Sequence, residues 1–122
     1  MGTSPSRKPA AVHFHPWGLA NESSGNMKTM QDIISILGHA NRKIDIFKID
    51  CEYCEWETFP TFVKVPNIRQ IQIELHGTKK AEEFFRAMYK NNYVVFHKEP
   101  NTYGCSGNCI EYAFIKLSDS FF

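Results

Sequence analysis

Apolar positions along the chain fall into short alternating runs separated by stretches at helical spacing. Ala11-Val12-His13-Phe14-His15 alternates like a strand and stops at Pro16, which has no N–H for a ladder. A polar loop over residues 21–26 follows. Met27, Met30, Ile33, Ile34 and Leu37 then stand at i, i+3, i+4 spacing, and Gly38 lies where a left-handed cap belongs. This predicts a helix of about three turns. Ile44-Asp45-Ile46-Phe47-Lys48-Ile49 is apolar on both faces and follows a helix, so it reads as a central parallel strand ending at Asp50. A short helix around Trp56 is cut off or kinked by Pro60. Ile68, Ile71, Ile73 and Leu75 mark a strand over residues 68–75. Thr78 is the expected cap of a helix whose buried stripe is Ala81, Phe84, Phe85 and Met88, and Asn91-Asn92 close it. Strands at 93–98 and 110–117 finish the pattern. Their loop holds no crossover helix, so they join as antiparallel neighbours. The order β-α-β-(short helix)-β-α-β-β predicts an α/β three-layer sheet of parallel strands ending in an antiparallel pair.

A chain of 122 residues is one domain. Residues 1–10, rich in Ser and Pro, are expected to be a flexible leader, with the domain over 11–122. Fourteen basic residues against 13 acidic ones give a net charge of +1, too weak a field for a dedicated nucleic-acid binder. No apolar run approaches the roughly 20 residues of a membrane span. With no secretory leader visible, the cytoplasm is the default compartment. Cys51, Cys54, Cys105 and Cys109 leave three readings open: a four-thiolate zinc site in an interaction domain, disulfides such as Cys105–Cys109, or plain thiols. Cys51 reads most simply as a small buried hydrophobe. No metal site is assigned. His13 and His15 read as strand surface or satisfied core, and Asn21-Glu22-Ser23 is a glycosylation sequon that matters only on a secreted route.

The run from Ile44 to Glu57, with Lys48-Ile49-Asp50-Cys51-Glu52-Tyr53-Cys54-Glu55-Trp56 at its centre, resembles the strand-to-helix segment of FkbM-type methyltransferase-like proteins. Tyr53 stands where that family usually has Gly. Residues 13–19, 71–76 and 109–115 resemble its third, fifth and closing strands, so the likeness spans about residues 11–117. It implies a Rossmann-like class I domain that transfers methyl from S-adenosylmethionine to an oxygen or nitrogen of an unidentified acceptor. Such domains hold the cofactor with a glycine-rich turn, and no G-x-G occurs here. The chain therefore resembles the distal portion of the domain, lacking the cofactor-binding strands, and is expected to be incompetent alone. Gly18 and Leu19 are expected on the cofactor's adenine side. The family's strand order also leaves the strand at 44–49 with a bare edge. The first strand or a partner chain in a homodimer is expected to cover that edge, or stability is marginal. The competing function is a non-catalytic interaction module that pairs through it.

Asp50 and Glu74 close two expected parallel neighbours. Ligands of open α/β sheets bind beyond such carboxyl ends, and strands roughly 4.8 Å apart let both carboxylates reach one substrate or one divalent ion. His76 adds a base. Under the methyltransferase resemblance, this cluster orients or deprotonates the acceptor. Glu52 and Glu55 both suit a helix start, with Glu52 the one expected to face the cleft. Trp56 is expected to anchor the core.

Overall fold

The computed structural model describes residues 11–121, and the expected leader at 1–10 lies outside them. A two-residue parallel pair, β1 (Gly18–Leu19) and β2 (Met27–Lys28), precedes helix α1 (Met30–Ile36). Strand β3 (Ile44–Ile49), helix α2 (Glu55–Phe62), strand β4 (Ile68–His76), helix α3 (Ala81–Lys90), and strands β5 (Tyr93–Asn101) and β6 (Cys109–Lys116) follow. The main sheet has the order β3-β4-β6-β5. β3 and β4 are parallel, with Ile49 opposite Ile73, and β6 is antiparallel to both β4 and β5. This is the α/β architecture the sequence pattern predicts, with the closing strand inserted beside β4.

Ile71 and Ile73 of β4, Ile49 of β3 and Phe114 of β6 share one apolar cluster with side chains from all three helices. Phe84 sits at its centre, edge-on to Trp56, Phe59, Phe85 and Phe114 at centroid distances of 5.2–6.4 Å. Each buried aromatic of this kind contributes about 2–3 kcal/mol through area removed from water. The other face carries Lys48, Gln70 and Gln72, none of them buried. Pro100 is accommodated because β5 is an edge strand, where a missing donor costs little.

Four local expectations are corrected. Residues 11–17 form no strand; Val12 and Phe14 are 52% and 66% exposed, and alternation alone does not make a strand. Nothing among the described residues pairs with the outer edge of β3, so the first segment does not cover it. Helix α1 starts at Met30, not Met27, because the Thr29 hydroxyl accepts the Asp32 N–H and fixes the start; Gly38, at φ +72°, ends it as expected. Thr78 does not cap α3 with its side chain. Its carbonyl accepts the Ala81 N–H instead, and Lys80 occupies the cap position. No helix among the described residues is long and apolar enough to cross a membrane.

Candidate functional site

Parallel pairing of β3 with β4 brings Asp50, one residue past the end of β3, beside the last three residues of β4. Glu74 and His76, two apart on a strand, point to the same face. His76 is nearly closed to solvent, and its Nε2 lies 3.3 Å from Glu74 Oε1 and 3.6 Å from Asp50 Oδ1. The Asp50 side chain is 50% exposed, so the cluster opens to solvent on that side.

Behind the ring stands Glu55, in the first turn of α2 and fully buried. Its Oε2 accepts the His76 backbone N–H at 2.7 Å and lies 3.0 Å from Nδ1. In the tautomer that carries its hydrogen on Nδ1, the ring donates to Glu55 and turns Nε2 toward Asp50 and Glu74. Trp56 Nε1 donates to the His76 carbonyl at 2.9 Å, which ties β4 to the same helix turn. Trp56 is thus the core anchor the sequence suggests.

Glu74 is braced from β5. Asn101 Nδ2 donates to its Oε2 at 3.0 Å, while Asn101 Oδ1 accepts the Tyr103 and Gly104 N–H groups. A Cβ on Gly104 would stand 2.9 Å from Asn101 Nδ2, so only glycine leaves room for this bracket.

The turn between β3 and α2 runs through two left-handed residues, Glu52 at φ +50° and Tyr53 at φ +80°. Glycine would take such a φ without the Cβ crowding that Tyr53 bears there. The Tyr53 ring centroid lies 5.3 Å from that of His76. Glu52 itself is exposed and lines a surface depression with Tyr53, Trp56 and Lys79. Of the acids between β3 and α2 singled out at the helix start, Glu55 and not Glu52 meets His76. Glu55 shares a helix face with Phe59 and Phe62, and an acid within an apolar stripe is the sequence signal that points to it.

The cysteines form two disulfides, Cys51–Cys54 at the start of α2 and Cys105–Cys109 beside the end of β4. No thiolate remains for a four-cysteine zinc site, and Cys51 is half-buried rather than a core thiol. Cys51 Sγ lies 3.8 Å from Glu55 Oε1, a packing contact, since a disulfide sulfur has no hydrogen to donate.

A mixed α/β sheet with polar groups gathered past the ends of its two parallel strands is the architecture of a partial Rossmann-like domain. A family model described as a methyltransferase domain matches residues 2–116, and the chain belongs to that family. No curated protein and no solved structure matches it.

Methyltransferase chemistry calls for S-adenosylmethionine, and the described residues do not fit its cradle. Gly18 and Leu19 form β1. A Cβ on Gly18 would meet the Met27 sulfur at 2.6 Å, so its close approach is to a neighbouring side chain, and Leu19 packs against the core. Gly25, Gly38 and Gly77 stand in separate turns, and Gly104 and Gly107 close one turn on each other, the Gly107 N–H donating to the Gly104 carbonyl.

Proposed function

We propose that the chain forms the acceptor side of an FkbM-type, S-adenosylmethionine-dependent methyltransferase domain acting on an oxygen or nitrogen acceptor. By itself it transfers methyl slowly or not at all. The observation that carries this reading is the convergence of Asp50, Glu74 and His76 at the ends of two parallel strands, with Glu55 holding the imidazole from behind. Asp50, the exposed member, meets the acceptor's O–H or N–H. Glu74 fixes its orientation, and His76 Nε2 takes up the proton. Glu52 sits on the outer turn and is given no step. Two disulfides support residence in an oxidising compartment rather than the cytoplasm, where Asn21 becomes a glycan acceptor; an unmodified Asn21 in protein from secreting cells would count against that.

A chimera tests the reading: residues 11–117 replace the matching segment of an intact domain of the same family. Methyl transfer to the parent's acceptor should persist and fall at least about 100-fold in Asp50→Asn and His76→Gln. A folded chimera that binds cofactor and ignores both substitutions contradicts it.

The bare edge of β3 favours a second reading. Ile46, 52% exposed on that strand, suits pairing with the same strand of a second copy as a homodimer. Light scattering that gives two chains per particle, and one in Ile46→Lys, supports it. A strict monomer removes it.

A further inference from the structure

We propose that Asp50, Glu74 and His76 bind one divalent transition-metal ion, with Glu55 as the buried partner that orients the imidazole. With metal–donor bonds of about 2.0–2.2 Å, two donors at tetrahedral or octahedral angles stand about 3.0–3.5 Å apart. His76 Nε2 lies 3.3 Å from Glu74 Oε1 and 3.6 Å from Asp50 Oδ1, and one atom from each of the three residues falls within 4.8 Å of the others. Small side-chain adjustments close those gaps onto an ion.

The surroundings are those of a metal ligand set. A ligating imidazole characteristically gives its second N–H to a carboxylate, and His76 Nδ1 faces the fully buried Glu55 at 3.0 Å. Glu74 is likewise held through its other oxygen by Asn101. Three carboxylates surround one imidazole. Among the described residues, no lysine or arginine forms an ion pair with any of them. A cation between Asp50, Glu74 and Nε2 offsets that excess of negative charge. The half-exposed Asp50 leaves an entry path and open positions for water or an acceptor oxygen.

His76 also lies within reach of Cys105 and Cys109, but their sulfurs are joined to each other. The donors are therefore one nitrogen and two oxygens, a set suited to Mn²⁺, Fe²⁺ or Zn²⁺ rather than a thiophilic ion. The ion's role, drawing an acceptor oxygen onto the strand ends and easing its deprotonation, rests on the acceptor-side reading; its binding does not.

Titration of the metal-free chain with MnCl₂ tests this, with free Mn²⁺ followed by its electron paramagnetic resonance signal and ZnCl₂ as competitor. One saturable equivalent per chain is expected. Affinity should fall at least about 10-fold in Asp50→Asn and in His76→Gln, and about 10–100-fold in Glu55→Gln. Asp45→Asn, an exposed carboxylate at the far end of β3, and Glu83→Gln, exposed on α3, should leave it unchanged. Should a variant fail to fold, bound Mn²⁺ in the native chain must still broaden the amide signals of residues 49–51 and 74–77 before any others. No stoichiometric binding, or broadening centred elsewhere, overturns the site. Metal binding together with an inactive chimera would leave the ion in place and remove the methyltransferase role instead.

Discussion

Replacing Glu55 by Ala removes the one carboxylate that holds both the backbone and the ring of His76. In the native chain, Oε2 is within 2.7 Å of the His76 N and 3.0 Å of Nδ1, at a residue with no solvent exposure. Truncation leaves two buried donors without an acceptor, each costing about 1–3 kcal/mol. Relief from burying the carboxylate itself offsets part of this, so the net loss should be about 2–4 kcal/mol. Glu55→Gln keeps an acceptor oxygen and should lose about 1–2 kcal/mol. Urea denaturation in a chelating buffer, with both disulfides intact, reads these values provided the slope is unchanged. A double-mutant cycle with His76→Ala separates the ring from the backbone. That variant keeps the 2.7 Å backbone bond, so the coupling between the side chains should be about 1–2 kcal/mol. A Glu55→Ala loss under about 1 kcal/mol, or a coupling near zero, would refute the bracket.

Tyr53→Gly should raise stability by about 0.5–1 kcal/mol. Relief of a left-handed φ of +80° is worth about 1–2 kcal/mol, and glycine's unfolded-state freedom takes back part of it; a loss would mean the ring contact with His76 dominates. Tyr93 is buried, donates its hydroxyl to the Ile68 carbonyl at 2.7 Å, and has its pKa pushed by burial from 10.0 to about 12. Because the folded value lies above the unfolded one, its stabilisation is complete below pH 10 and is lost as pH rises toward 12. Tyr93→Phe should flatten that alkaline decline and cost about 1–2 kcal/mol at neutral pH, both read by denaturation at stepped pH. Phe84→Ala, at the centre of the aromatic cluster, should cost about 3–5 kcal/mol by the same assay, and a loss below about 1 would show the cluster is not the core.

Much of the fold was legible because its strands announce themselves locally. The β-branched runs at Ile44–Ile49 and Ile68–His76, with a helix between, dictate parallel neighbours, and that placed Asp50 beside Glu74 and His76. Residues 11–15 carry the same alternation and yet form no strand, since alternation sets which side chains share a face and not whether a ladder forms. Met27 fits the helical spacing, yet Thr29 fixes the start of α1 three residues later, and Met27 packs on Gly18 instead. Glu55 was hidden by a sufficient local explanation, since an acid at a helix start needs no partner. Only the packing of α2 under β4 turns it into the support of His76. The cysteine spacings fitted several chemistries, and the approach of Cys105 to Cys109 depends on the turn that leads into β6.

Under the proposed function, Asp50, Glu74 and His76 serve the acceptor at the ends of β3 and β4, and the described residues do not fit the cradle of the methyl donor. Isothermal titration of the disulfide-intact chain with S-adenosylmethionine tests that reading most directly. No saturable heat in the micromolar range is expected. One equivalent bound with micromolar affinity, and weakened by substitution within this chain, would contradict it.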